Sequence, residues 1–276
     1  MNFWKLHGVG NDFIAIDGRF DNIDPNNYSD LAKKVCHRHF GIGADGLLVV
    51  KNSNICDVEM VYYNSDGSRA NMCGNGLRCF CKFVYDNNIV KENEFSVYTL
   101  DGIKKISLNI NKEKIDTIKV NMEKPNFNPN IIPVKTNKEV FINEKLVIDN
   151  KEIEVSSVLM GVPHTIVFVD EIVKKDIYKY GELIEKNEIF PQNTNVNFVK
   201  IDDKNNIQVY TWERGCGYTL GCGTGMTASV IVANYLNKVN KKVNVKSEGG
   251  SVKIEILDDV YMIGNAVKIC EGTLEV

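Results

Sequence analysis

The chain has 276 residues, 43% of them apolar and 25% charged, with a formal net charge of −3. That composition fits an ordinary globular protein of about two domains, and the weak negative charge gives no electrostatic ground for a nucleic-acid or anionic-membrane partner. No apolar run approaches the ~18 residues of a membrane span, and Met1-Asn2-Phe3-Trp4 opens no basic-then-apolar signal segment, so the expected location is cytoplasmic.

In chain order, Ile14-Ala15-Ile16-Asp17, 47–50, 58–63, 95–98 and 103–110 are short β-branched or alternating runs bounded by Asn, Asp and Gly, which predicts strands. A helix is predicted near 28–38. After Cys73, apolar residues recur at Leu77, Phe80, Cys81, Val84 and Tyr85, a helical spacing. Pro125, Pro129 and Pro133 lie in an Asn-rich stretch that reads as a linker or edge crossing. A further helix is predicted over 177–187. The run 226–236 is apolar almost all round, as a helix buried within its domain would be.

The same order of segments occurs twice. Gly8–Asp17 aligns with Gly161–Asp170, which puts Asn11 opposite His164; Gly41–Leu48 aligns, more weakly, with Asn193–Val199. Val58–Asn64 aligns with Ile207–Glu213, putting Asn64 opposite Glu213, and the match runs without a gap into Cys73-Gly74-Asn75-Gly76 and Cys222-Gly223-Thr224-Gly225. Val97–Ile106 aligns with Val245–Ile254. Such collinearity predicts a duplicated domain. The expected fold is α/β (α+β): two domains related by a pseudo-twofold, each a curved, mostly antiparallel sheet wrapped around a central helix. The N-terminal domain is expected over 1–120 plus 266–276, whose last strand returns to it, and the C-terminal domain over 121–265.

Both Cys-Gly-x-Gly stretches stand where a strand-like run gives way to a helix-like one. The first turn of a helix presents unpaired N–H groups and the positive end of the macrodipole. Glycines let that backbone close on a carboxylate or phosphate, and the same field favours a thiolate. If the two helix starts face one cleft, a bound carboxylate has a thiol on either side. That suits inversion of a carbon bearing hydrogen next to a carboxylate, which needs one base and one acid on opposite faces, with no metal and no other cofactor. The eight cysteines contain no Cys-x-x-Cys pair, and Cys36-His37-Arg38-His39 lacks a second half-site at zinc-like spacing, so no metal site is expected. Cys36, Cys56, Cys79, Cys81, Cys216 and Cys270 read as packing or surface thiols, and His37 and His39 as loop or helix-end residues.

The chain resembles the diaminopimelate epimerase family along nearly its whole length. The resemblance is carried by Gly10-Asn11-Asp12-Phe13, Arg38–Gly46, Tyr63–Ser68, Met72–Gly76, Pro163-His164, Thr194–Phe198, Glu213-Arg214-Gly215 and Gly221–Gly225. It implies a cofactor-independent isomerase that interconverts LL- and meso-2,6-diaminopimelate for lysine and cell-wall synthesis. Cys73 and Cys222 would be the two acid–base groups, and Gly74, Asn75, Gly223 and Thr224 would hold the reacting carboxylate. Asn11, Asn64, Asn195 and Arg214 would bind the rest of the amino acid. Glu213 would offer its backbone carbonyl or help set thiol protonation, with His164 beside the thiols. A homodimer is a further implication.

Two positions depart from the family pattern: Val162 stands where Asn is common, and Tyr218 where Glu is frequent. The reaction type is untouched, but the first change removes a polar contact to the far end of the substrate. A related pyridoxal-independent racemase acting on another amino acid, such as histidine, is therefore the alternative. Proline- or hydroxyproline-type racemases would share the cysteines but not Arg214. A thiol redox or metal-binding protein would use the cysteines differently.

Overall fold

The structure, a computed structural model, describes residues 1–20 and 24–275. The chain divides into two compact units, Met1–Asn121 with Ile263–Val276, and Met122–Met262.

The first unit opens with a hairpin of β1 (Asn2–Gly8) and β2 (Asn11–Asp17). Its two-residue turn places both Val9 (φ 56°) and Gly10 (φ 80°) in the left-handed region. Glycine adopts that conformation freely and valine does not, so Val9 holds local strain two residues before Asn11. Helix α1 (Tyr28–Cys36) then returns the chain to β3 (Gly46–Lys51), which runs parallel to β2. Strand β4 (Val58–Asn64) is antiparallel to β3 and turns into the short β5 (Arg69–Ala70). Helix α2 (Gly74–Asp86) follows, then β6 (Glu94–Thr99), parallel to β4, β7 (Gly102–Asn111) and β8 (Lys114–Glu123). Burial of Ile14, Ile16, Leu47 and Val49 against Leu31, Ala32 and Val35 joins α1 to the sheet, and α2 packs on β1, β2 and β3.

The second unit repeats this order. Strand β9 (Glu144–Ile148) pairs with β10 (Lys151–Met160), which forms a hairpin with β11 (Val162–Phe168). Helix α3 (Lys174–Glu185) leads to β12 (Asn195–Asp203), parallel to β11, and β13 (Asn206–Glu213) runs antiparallel to β12 before turning into β14 (Gly217–Thr219). Helix α4 (Gly223–Tyr235) precedes β15 (Lys242–Ser247), parallel to β13, then β16 (Gly250–Ile256) and β17 (Val260–Gly264). As its composition predicts, α4 is buried from Gly225 through Ala233. The last strand, β18 (Val267–Thr273), pairs antiparallel with β1. Val276, the end of the strand expected over 266–276, lies outside the described residues.

The proline-containing stretch after β8, expected as a linker or edge crossing, packs against the second unit: Ile132, Val134 and Phe141 are buried in its core and Asn126 bridges to Leu159. One expectation needs correction: the alignment of Asn11 with His164 fails. Phe13 pairs with Leu6 and Gly46, His164 with Val158 and Asn195, and Gly46 and Asn195 hold the same register in their sheets. His164 therefore stands opposite Phe13, and Val162 opposite Asn11. Asn64 remains opposite Glu213.

Candidate active site

Cys73 is the residue before α2, in extended backbone (φ −139°), and its Sγ accepts a hydrogen bond from Gly76 N at 3.5 Å. The thiol thereby caps the helix as a Ser or Asp side chain would. It also donates to Asn11 Oδ1 at 3.4 Å. Asn11 Nδ2 donates to Asp45 Oδ2 at 2.6 Å, and because an ionised carboxylate only accepts, this bond fixes the amide with its carbonyl toward the sulfur. Asp45 is ion-paired with Arg38 at 2.7 Å, and Asp12 with Arg38 and Lys5 at 2.9 and 3.1 Å. Burial pushes the Asp12 carboxyl up, but hydrogen bonds and charge from Arg38 and Lys5 outweigh it and hold the group below the usual carboxylate range.

Behind the thiol, the side chain of Asn75 is buried and accepts from Arg78 Nη2 at 2.9 Å. Arg78 is itself fully buried and also donates to Gly74 O at 3.3 Å and Asn265 O at 3.2 Å. At the end of β4, Asn64 is held by Tyr62, whose hydroxyl donates to its Oδ1 at 2.7 Å, and donates in turn to Ser68 Oγ at 3.0 Å.

The second unit builds the equivalent helix start with different neighbours. Cys222, 8% exposed, caps α4 by accepting from Gly225 N at 3.4 Å, and its Sγ lies 3.3 Å from Thr224 Oγ1. In the turn after β13, Arg214 N donates to Asn195 Oδ1 at 2.9 Å and Arg214 Nη1 to Gln192 O at 2.9 Å. Asn195 Nδ2 donates to Pro163 O at 3.0 Å, so this amide braces the Arg214 backbone against β11. The Glu213 carboxylate accepts from Thr219 Oγ1 at 2.6 Å. His164 is buried on β11, bonded through Nδ1 to Asn197. Burial, with a smaller contribution from the Arg214 charge, pushes its pKa down to about 3, so the ring is neutral. Asn197 in turn abuts Gly225 in the first turn of α4, which brings the ring to the helix that Cys222 caps. Tyr218, the second departure from the family pattern, donates its hydroxyl to Glu248, which is ion-paired with Lys174.

Several residues were missed from sequence. Asp45, Arg38 and Asp12 lie within motifs that carry the resemblance, and charges embedded among glycines were the available signal. Glu185, buried at the end of α3, accepts from Trp212 Nε1 at 2.7 Å and Gly215 N at 3.0 Å and so holds the turn that carries Glu213 and Arg214. Nothing local in the sequence marks it. The remaining cysteines behave as expected: Cys36, Cys79 and Cys81 are buried, and burial raises all three thiols, Cys36 to about 12. Among the described residues no group of three or more His, Cys, Asp or Glu side chains could hold a metal ion, and no helix is long and apolar enough to cross a membrane.

Each helix start thus joins a thiol at the capping position to a turn of backbone N–H groups able to take an anion. The sequence model of the family described as diaminopimelate epimerase matches residues 3–128 and 156–269. The chain is 52% identical to a diaminopimelate epimerase of Clostridium perfringens (strain 13 / Type A), covering 99% of each protein. It is 50% identical to one of Alkaliphilus metalliredigens (strain QYMF), covering 99% of this chain and 96% of that protein. Among solved structures, a probable proline racemase from Agrobacterium radiobacter K84 is similar in fold, with a TM-score of 0.75 at 14% identity, over 100% of this chain and 93% of that one. A hydroxyproline epimerase from Agrobacterium vitis is similar with a TM-score of 0.73 at 13% identity, over 99% and 91%.

Proposed function

The chain belongs to the diaminopimelate epimerase family, and on that premise we propose that it interconverts LL- and meso-2,6-diaminopimelate, with Cys73 and Cys222 carrying the Cα proton. The observation that carries the assignment of the two thiols is their equivalence: each caps the first turn of a buried helix at the same position of a duplicated unit.

In this reading one sulfur, as thiolate, takes the Cα proton from one face and the other, as thiol, delivers a proton to the opposite face. Backbone N–H groups at Gly74, Asn75, Gly223 and Thr224 hold the α-carboxylate. Their dipoles act most strongly on the charge that develops there as the proton leaves, which lowers the barrier rather than merely tightening binding. Asn11, Asn64, Asn195 and Arg214 bind the remainder of the amino acid, with the Arg214 guanidinium on the distal carboxylate. Glu213 contributes its backbone carbonyl, and His164 lies close to the reacting end. The chemistry calls for no cofactor. The lysine and cell-wall precursor pathways, a cytoplasmic location and a homodimer belong to the same reading.

Val162 favours weaker contacts at the distal end. A lost hydrogen bond to a charged group is worth roughly 1.5–3 kcal/mol, about ten- to a hundredfold in kcat/KM. A racemisation screen of LL-diaminopimelate, L-histidine, L-glutamate, L-lysine and lanthionine tests the assignment. LL-diaminopimelate is expected to be the best substrate, and Arg214→Ala to lower its kcat/KM at least tenfold. Faster turnover of histidine with diaminopimelate inert would transfer the assignment to the alternative substrate and leave the two-thiol chemistry standing.

A further inference from the structure

The strand register sets His164, Asn197 and Thr211 of the second unit in the places of Phe13, Leu48 and Tyr62 of the first. In the first unit this space is apolar. The Phe13 and Tyr62 rings meet edge to face at 5.9 Å, and a Cβ added to Gly76 would come within 3.2 Å of the Phe13 ring. Hydrocarbon packing therefore suffices to seat a helix start on these strands.

The second unit fills the same space with polar groups. Thr211 Oγ1 donates to Asn197 Oδ1 at 2.9 Å, and Asn197 Nδ2 donates to Thr165 O at 3.3 Å and bonds His164 Nδ1 at 3.2 Å. His164 and Asn197 are fully buried and Thr211 is 2% exposed. A Cβ on Gly225 would lie 2.3 Å from Asn197 Oδ1, so only glycine lets α4 close on this side chain.

Thr165 O can only accept, so the Asn197 amide is oriented with Nδ2 toward the ring, and His164 Nδ1 must be the acceptor. The single ring proton of the neutral imidazole is then on Nε2. That atom is buried and has no hydrogen-bond partner among the described residues. A buried N–H left without an acceptor carries an uncompensated desolvation cost, one that the first unit avoids. Arg214 is the charge acting on the ring, and α4, packed against β11, carries no Asp, Glu, Lys, Arg or His between Gly223 and Tyr235.

We propose that Asn197 is a positioning residue that locks His164 in the Nε2–H tautomer, so that His164 serves as a hydrogen-bond donor to an anionic group of the bound amino acid and not as a base. The inference rests on the epimerase reading for its ligand, but the tautomer can be read in the free protein.

The test is 15N NMR of full-length protein labelled at histidine, with the signal of His164 identified by its loss in His164→Gln. The wild type should show a neutral Nε2–H ring from pH 8 to pH 5. Asn197→Leu, which installs the residue of the first unit, should release the ring into mixed tautomers and lower kcat/KM for LL-diaminopimelate about ten- to a hundredfold. Asn197→Asp has the same shape and guards against a folding failure of the leucine variant. Its carboxylate should draw the proton to Nδ1 and add an ionisation near neutral pH to the kcat/KM profile. An Nδ1–H or charged ring in the wild type would overturn the proposal, as would unchanged kcat/KM in variants whose tautomer has changed. Wild-type protein with the locked tautomer but inert toward every amino acid in the screen would instead remove the epimerase reading.

Discussion

Arg78 and Thr227 stand at the same step of α2 and α4, five residues after Cys73 and Cys222, and both donate to the carbonyl of the first helical glycine, Gly74 at 3.3 Å and Gly223 at 2.8 Å. One is a fully buried cation and the other a hydroxyl. The contrast extends outward. The thiol of the first unit meets the acceptor Asn11 Oδ1, fixed by the Asp45–Arg38 ion pair, whereas the thiol of the second meets the hydroxyl of Thr224. Beneath the helix starts, an aromatic pair in one unit is replaced by a polar network in the other. What the two units share is the backbone device, a capping sulfur over a turn of N–H groups. What differs is the set of side chains around each sulfur.

The comparison breaks most visibly at Arg78. Arg78→Thr copies the second unit, but it leaves Asn75 Oδ1 and Asn265 O, both acceptors of the guanidinium, without that donor. A loss of about 1–3 kcal/mol for each acceptor left unsatisfied is expected, read as a lowered urea midpoint at unchanged slope. A loss below about 1 kcal/mol would mean that the buried cation is not what holds this helix start together.

A smaller effect sharpens the comparison at His164, through pH. In the unfolded chain its imidazole titrates near 6.5, whereas in the fold burial holds it neutral down to about 3. Below pH 6.5 the unfolded state binds the extra proton, so the stability that goes with the neutral ring is complete above 6.5 and declines as pH falls toward 3, by at most about 1.4 kcal/mol per pH unit. His164→Phe, the residue of the first unit, should remove this part of the slope. Denaturant unfolding of both proteins between pH 7 and 4 measures it, and parallel curves would contradict a buried neutral histidine.

Much of this plan is legible in the sequence alone. Strands such as β3 and β6 announce themselves by β-branched runs, and α4 by an apolar surface with no polar face. The Cys-Gly-x-Gly stretches carry the helix starts because glycine and a capping side chain are local requirements. Strands β1 and β8 went unread, since Asn2–Gly8 and Lys114–Glu123 mix charged with apolar residues. The shifted alignment of β2 with β11 has a physical cause: His164 and Thr165 replace Phe13 and Ile14, so matching by hydrophobicity slid the segments until apolar residues coincided. Asp45 and Glu185 act through partners distant in sequence, Asn11, Trp212 and Gly215, and only the folded chain brings those together.

The two-thiol account is tested most directly by turnover of LL-diaminopimelate in deuterated water, followed by proton NMR and mass spectrometry at Cα, with wild type, Cys73→Ser and Cys222→Ser side by side. Circular dichroism establishes that each variant is folded. The wild type should place one deuterium at Cα of the inverted product from the first cycle, because that hydron comes from a thiol equilibrated with solvent. Each serine variant should fall at least about a hundredfold in epimerisation, the usual scale for loss of a positioned acid or base. A single serine variant that turns over at the wild-type rate, or product that retains the original Cα proton, would contradict the claim.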